Sequence, residues 1–215
     1  MSLKDFTLFN KSKDDNSRFV ISSDTIVITD LPRTESAYHG DSGYNAIGDF
    51  VVEFEMQMDN TTLPASLAVF GGIADREGDW LGIDSAGGNE VGFWLGRQSG
   101  GSGYVQLGEV DSGIFYSTVY VNAGITGKHY YPRLERIGSF LNLHLFTDSG
   151  RTVNEKTLTL TLHNIVAYDH IYGVQSYNNG VTGKQFDGFV KNYNTVSGFG
   201  EIGSGRRKKI LLEGI

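Results

Sequence analysis

The chain contains no cysteine and only 3 proline residues in 215. Without cysteine it can form neither disulfides nor thiolate metal sites, so its redox compartment cannot be read from the sequence. No apolar run approaches the ~18 residues of a membrane helix, and residues 1–5 lack the apolar core of a signal peptide. The formal charge of −7 argues against general nucleic-acid binding, because that affinity comes from a basic surface.

Glycine and aromatic residues are abundant instead. The chain has 29 Gly, 11 Tyr and 13 Phe, and an average protein contains only ~7% glycine. Tyrosine, phenylalanine and β-branched residues suit a pleated, half-buried surface, whereas glycine suits tight turns. The composition therefore favours short strands joined by glycine-rich turns.

Residues 49–59 carry the clearest strand pattern. Their apolar side chains alternate with Val51, Glu53, Glu55, Gln57 and Asp59, and the apolar set is Phe50, Val52, Phe54, Met56 and Met58. This period of two predicts a strand with one face in the core and the other in water.

Other segments extend the same interpretation. Strands are predicted over 19–21, 25–29, 67–73, 80–83, 91–96, 104–107, 115–122, 130–137, 139–147, 157–162 and 186–193. The segments 80–83 and 91–96 are predicted to form a hairpin, and the polar residues 33–48 to form a loop. No segment shows a helical period, so little helix is expected. Strands at this spacing indicate an all-β, two-sheet antiparallel β-sandwich of the jelly-roll type.

The predicted domain organisation has three parts. Residues 1–17 form an N-terminal arm or edge strand, 18–197 a single sandwich domain, and 198–215 a C-terminal tail with a basic cluster. A sandwich of this length is ordinary for one domain.

Three motifs in order resemble those of the concanavalin A-like and laminin G-like superfamily. Residues 48–59 resemble its long alternating strand, 130–151 its central hairpin with Arg133-Leu134-Glu135-Arg136 before a glycine turn, and 186–193 its closing strand. The resemblance implies a concanavalin A-like jelly roll. Members of that superfamily include lectins, glycan-binding modules, glucanases, lyases and adhesion domains, so the resemblance does not decide the function.

The only candidate catalytic carboxylates are Glu53 and Glu55. Sandwich glycosidases need two carboxylates that face one cleft, and alternation places these two on one face. Their spacing departs from the family's catalytic motif, and the outward face of a half-buried strand is usually polar. They are therefore weak candidates, and a non-catalytic protein is favoured.

An acidic loop offers the best metal candidate. Asp75, Glu77 and Asp79 alternate in it, and Asp84 and Asn89 follow. Calcium takes six to eight oxygen ligands from such loops, and relatives in the superfamily hold calcium in loops at the rim. Calcium is the one cofactor that the sequence suggests, although a solvated acidic turn explains the same pattern.

Sugars bind by stacking on aromatic rings, while amides and carboxylates take their hydroxyl groups. The candidate ligand-binding residues are Trp80, Tyr168, Tyr172, Tyr177, Asn178 and Asn179. Trp80 follows the acidic loop and the others form one cluster, although for Trp80 a position in the core is the favoured interpretation.

Three functions follow from these patterns. The first is a non-catalytic carbohydrate-binding or adhesion module that recognises a surface glycan. The second is a structural protein of a virion or another assembly (a capsid, fibre or tail component) whose terminal arms mediate homo-oligomers. The third is a polysaccharide hydrolase or lyase. The resemblance favours an extracellular or virion-surface location.

Overall fold

The computed structural model describes residues 2–46, 48–59, 67–97, 102–197 and 200–201. It consists of two antiparallel sheets of eight strands each. The two sheets pack face to face, which confirms the predicted all-β sandwich. No helix in the described ranges has the length and apolar character needed to cross a bilayer.

Sheet A has the strand order β13-β12-β11-β6-β15-β4-β3, and β1 pairs with β15 outside that path. Its strands are β1 (Ser2–Leu3), β3 (Phe19–Ile21), β4 (Thr25–Arg33), β6 (Phe50–Met58), β11 (His129–Ile137), β12 (Phe140–Phe146), β13 (Asn154–Thr161) and β15 (Val181–Ser197). The long strand β15 therefore separates β4 from β6, although these two are closer to each other in sequence.

Sheet B has the strand order β10-β9-β8-β7-β14-β5-β16, and β2 pairs with β5. Its strands are β2 (Lys11–Lys13), β5 (Tyr38–Ala46), β7 (Leu67–Ala74), β8 (Glu90–Arg97), β9 (Gly103–Asp111), β10 (Ile114–Asn122), β14 (Tyr168–Ser176) and β16 (Gly200–Glu201). Two short 3-10 helices, Phe6–Leu8 and Ala123–Ile125, connect strands at the rim.

The main core lies between the sheets and is rich in aromatic rings. Phe54 of β6 stacks on Phe93 of β8 with ring centroids 5.8 Å apart, and on Tyr193 of β15 at 5.3 Å. The inward residues of β6 are fully buried, as the alternation predicted. Stacked aromatic pairs of this kind add to the stabilisation that burial alone gives.

The predicted loop over 33–48 is wrong in its second half, because residues 38–46 form β5. This strand pairs with β14 on one side and with β2 and β16 on the other. Its sequence is polar and its buried positions hold Tyr38, His39, Gly40 and Tyr44, so it has no apolar alternation. A Cβ at Gly40 would collide with the ring of Tyr172, so only glycine fits there.

The predicted strand over 80–83 is also wrong, because Trp80–Ser85 forms the α-helix α1. The Asp79 carboxylate caps α1 by accepting a 2.9 Å hydrogen bond from the Gly82 N–H. An aspartate at this position satisfies an N–H that the first helical turn leaves without a partner. Strand β8 consequently pairs with β7 and β9 instead of closing the predicted hairpin.

The predicted three-part domain division stays a prediction. Within 1–17, β1 and β2 pair with the two sheets, and the Phe6 side chain is fully buried in the main core. The predicted tail, including its basic cluster, lies outside the described residues except for the two of β16.

Candidate functional site

The acidic loop before α1 is closed by its own hydrogen bonds. The Asp75 carboxylate accepts bonds from the backbone N–H and side-chain amide of Asn89 at 3.1 and 2.7 Å, and from Arg76 Nε at 2.9 Å. Burial opposes ionisation of Asp75, but the hydrogen bonds from Arg76 and Asn89 outweigh it and hold the pKa below its usual value. Asp75 and Asn89 thus tie the two ends of the loop together.

Glu77 and Asp79 also have structural partners, whereas Asp84 Oδ1 is buried and has no hydrogen-bond partner among the described residues. Glu77 accepts bonds from Lys11 and from the Tyr38 hydroxyl, each at 2.9 Å. The Lys11 contact is the main cause that lowers the pKa of Glu77, whereas burial raises the pKa of Asp84. In the described part of the chain, no three acidic or histidine side chains are grouped as a metal site. Calcium binding here stays a prediction, and it would require several of these hydrogen bonds to be replaced.

Three of the predicted sugar-stacking rings are buried, which corrects their interpretation as loop aromatics. The exposed fraction of Trp80 and Tyr168 is 1%, and that of Tyr172 is 0%. Trp80 packs edge-on against Trp94 with ring centroids 4.3 Å apart. Helix α1 therefore covers part of the outer face of sheet B with a small second core, whose other members are Leu67, Val69 and Val110.

The remaining three predicted residues lie half-exposed in the turn between β14 and β15. Tyr177 has the Arg33 guanidinium 5.4 Å from its ring centre, and Asn179 accepts a 3.0 Å bond from Arg33 Nε. Asn178 has a positive φ of 47° and donates to Asp79 at 3.3 Å. These residues are half-exposed, but each of them contacts Arg33 or Asp79, and these contacts hold the turn in place.

Glu90 is a buried acid that the sequence pattern did not reveal. Its exposed fraction is 0%, and within the described residues neither of its carboxyl oxygens has a hydrogen-bond partner. A Cβ on Gly72 would collide with both Glu90 Oε1 and Gln175 Oε1, so these two oxygens lie close together. Burial raises the pKa of Glu90 well above its usual value, and the nearby Asp79 and Asp75 carboxylates add to the rise.

The outer face of sheet A presents a different surface, on which polar side chains form one row across five strands. The register pairs Asn194 with Glu53, Glu53 with Arg133, Arg133 with His144, and His144 with Thr157. We call these five residues the polar row. Because residues paired across strands lie on the same face, the row runs from β15 to β13.

Arg133 and His144 of the polar row are linked through Glu135. Arg133 Nε donates to Glu135 at 2.9 Å, and an Arg133 terminal nitrogen lies 3.5 Å from Glu53. His144 Nε2 lies 3.1 Å from Glu135, and His144 Nδ1 lies 3.0 Å from the Thr157 hydroxyl. The network fixes the position of each side chain, while Arg133 keeps 39% of its side chain exposed.

Half-buried aromatic rings flank the polar row. Tyr131 is paired with Phe146 in the adjacent row, and His129 stacks on Tyr131 with ring centroids 4.6 Å apart. A shallow cavity of about 280 Å³ is lined by Arg133, Glu135, His144 and Phe146. Rings beside ordered polar groups are the combination that suits a sugar.

The two candidate catalytic carboxylates both lie on this face. Glu53 contacts Arg133 and has Arg151 3.6 Å away. Glu55 accepts a 2.6 Å bond from Asn192, whose positive φ of 54° marks a bulge in β15. His129 Nε2 is 3.1 Å from Glu55, which is close enough for an ion pair but out of line for a hydrogen bond.

Sequence reasoning named Glu53 and Glu55 but missed Arg133, Glu135 and His144 as parts of one site. The signal was present in the hairpin motif. A two-residue turn at Gly138-Ser139 places Ile137 opposite Phe140, and the pairing continues away from the turn one residue at a time. It therefore places Arg133 opposite His144, as the structure shows. A hairpin's turn therefore determines which of its side chains are neighbours.

Neither protein-family models nor curated protein sequences match this chain. Solved structures match its fold. The legume lectin-like domain from Entamoeba histolytica matches with a TM-score of 0.58 and 10% identity, over 86% of this chain and 87% of that one. The CBM2 module of the Lactobacillus casei BL23 phage J-1 evolved Dit gives 0.54 and 9%, over 86% and 79%. The alginate lyase Aly36B gives 0.54 and 11%, over 88% and 86%.

The sheet topology and these similarities show that the chain has the concanavalin A-like lectin and glucanase fold. At such low identities the likeness concerns the fold alone, and the function must be argued from the surface of this chain.

Proposed function

We propose that this protein is a non-catalytic carbohydrate-binding module that recognises a glycan on the outer face of sheet A. The observation that carries the proposal is the polar row with its flanking rings. Arg133 and His144 present nitrogen donors, Glu53 presents carboxylate oxygens, and Tyr131 and Phe146 provide apolar ring surface. A pyranose has the same mixture of hydroxyl groups and apolar faces.

The charges on this face favour a neutral glycan. The Arg133 guanidinium faces two carboxylates, those of Glu135 and Glu53. A strongly anionic polymer would meet these carboxylates at the same surface, and like charges in close contact are unfavourable. Hydroxyl groups can instead join the existing hydrogen bonds.

A glycan array followed by calorimetry with the best oligosaccharide tests the proposal. We expect Arg133→Ala to weaken binding ~10-fold or more, since ~1.4 kcal/mol corresponds to a tenfold change. Arg76→Ala is the matched control, because Arg76 also keeps 39% of its side chain exposed and also has an ion pair of 2.9 Å. Absence of binding across neutral and acidic glycans, or equal losses in the two variants, would contradict the proposal.

A polysaccharide hydrolase or lyase is the less favoured alternative. Glu53 and Glu55 neighbour each other on one strand and are engaged by arginine, histidine and asparagine side chains, whereas a glycosidase needs carboxylates on opposite sides of the scissile bond. Turnover of any polysaccharide by the native chain, lost in Glu55→Gln, would favour this alternative instead.

A structural role in a virion or another assembly is compatible with glycan binding. The similarity to a phage module supports it only at the level of fold. The predicted homo-oligomer through the terminal arms stays a prediction, and chain mass with and without residues 202–215 would test it.

A further inference from the structure

Strand β10 forms one edge of sheet B. Among the described residues it pairs only with β9, in nine consecutive pairs from Ile114 with Asp111 to Asn122 with Gly103. The register has no shift, so the strand is regular. In the described ranges no other segment donates to or accepts from its backbone. Its outer edge therefore presents a regular series of backbone donors and acceptors.

The composition of β10 is unusual for an exposed edge. Its nine residues, Ile114 to Asn122, include no charged residue and no proline. Four apolar side chains are exposed by 39–56%, namely Ile114, Phe115, Val119 and Val121. Natural proteins normally protect an edge with lysine, proline, a bulge or a short strand, and β10 has none of these.

The other described edges are protected. In sheet A, β3 has only three residues, and β13 carries Glu155 and Lys156. In sheet B, β5 is covered by β2 and β16. Among the described edges, β10 therefore lacks protection against pairing with a strand of another molecule.

We propose that β10 pairs with β10 of a second copy of this chain, antiparallel and about a two-fold axis at Thr118. This register places Phe115 opposite Val121 of the second copy and Ser117 opposite Val119. Each exposed apolar side chain on the outer face then gains a cross-strand neighbour. The two B sheets join into one continuous sheet, and the unpaired backbone groups of both edges are satisfied.

The charge distribution favours a second copy in this orientation. The formal charge of −7 makes two copies repel each other, so a contact needs an uncharged centre, which β10 supplies. One end of β10 is next to Asp111. At the other end Lys156 Nζ lies 5.4 Å from the Tyr120 ring centre. Glu155, which accepts from Tyr120 and Asn122, is paired with Lys128, so two lysines outnumber one carboxylate there. Antiparallel pairing brings the acidic end of one copy towards the basic end of the other, and the contact is isologous, so it closes as a dimer.

Sedimentation velocity of the full chain, from nanomolar to high micromolar concentration, tests the proposal. We expect a reversible monomer–dimer equilibrium. Val119→Lys should weaken it ~10-fold or more, because two lysines must be desolvated at the joined edges. Val20→Lys is the matched control, since Val20 is also exposed, at 66%, and lies on the edge strand β3.

Paired charge variants test the register. Ser117 and Val119 are both exposed, so these changes leave the core intact, and circular dichroism with thermal melting checks this. S117K/V119K alone and S117E/V119E alone should each be monomeric, because like charges lie opposite each other. An equimolar mixture should form a heterodimer. A native chain that stays monomeric, equal effects of Val119→Lys and Val20→Lys, or a mixture that fails to associate would overturn the proposal.

Discussion

Arg151 donates a 3.2 Å hydrogen bond from its guanidinium to the backbone carbonyl oxygen of Phe54, in the middle of sheet A. The β6–β11 register pairs Tyr130 with Met56 and next Arg133 with Glu53. The same register places Pro132 of β11 opposite Phe54 of β6. Proline has no N–H to donate to the Phe54 carbonyl. The arginine therefore supplies a donor to a carbonyl at a break in the strand ladder.

Arg151→Ala should lower the free energy of unfolding by ~1.5–3 kcal/mol, because a bond from a charged donor to a buried carbonyl is lost. Urea unfolding followed by fluorescence would measure it. Lys13→Ala, on the exposed part of β2, should change stability by less than ~0.5 kcal/mol. Equal small effects in both variants would show that the Phe54 carbonyl does not depend on Arg151.

Glu90 should make the protein less stable as the pH rises. Its pKa in the folded state is raised above the ordinary value of 4.5, so the folded state retains a proton that the unfolded state releases. This contribution to stability is complete below about pH 4.5 and is lost progressively as the pH approaches the raised pKa. Glu90→Gln has no ionisable group at this position and avoids this loss, so its unfolding midpoint should exceed that of the native chain increasingly as the pH rises above 4.5.

Glu109 is the control for that experiment, because it is buried like Glu90 but its carboxylate has hydrogen-bond donors. Its exposed fraction is 1%, but its carboxylate accepts bonds from the backbone N–H groups of His163 and Asn164. Glu109→Gln removes one of two acceptor oxygens and should destabilise the protein at neutral pH. An advantage for Glu90→Gln that is independent of pH would contradict the raised pKa of Glu90.

Trp80→Ala should destabilise the fold without impairing glycan recognition. Removal of a buried tryptophan typically costs ~3–5 kcal/mol, and Trp80 packs on Trp94 beneath α1, on the other sheet from the polar row. Thermal melting and calorimetry on the same sample would separate the two effects. Lost glycan affinity at unchanged stability would instead restore the original prediction that Trp80 is a stacking ring.

The fold was more predictable than the site because its signals are periodic. The alternation over Phe50–Met58 and the glycine turn after Ile137 give β6, β11 and β12 directly. Strand β5 was missed because the residues that it buries are tyrosine, histidine and glycine. Helix α1 was missed because six residues are too few for a helical period, although its Asp79 cap was visible in the sequence.

The site depends on relations between strands, which local patterns do not contain. Loop position suggested accessible rings at Trp80 and Tyr172, but both are covered by structure that comes from elsewhere in the chain. Conversely, Arg133 and His144 looked like ordinary outward residues, and only the pairing of β11 with β12 makes them neighbours. Burial of Glu90 has no sequence signature, because an acid that begins a strand usually faces solvent.

The insertion of β15 between β4 and β6 has a consequence for biosynthesis. Until β15 has been synthesised, a nascent chain exposes both β4 and β6 as open edges, and a large β-topology with such distant pairings folds slowly. Ser2 also pairs with Thr195, so sheet A can be completed only after β15 has left the ribosome. The interval before β15 docks is therefore the stage at which chaperones would protect this protein from aggregation.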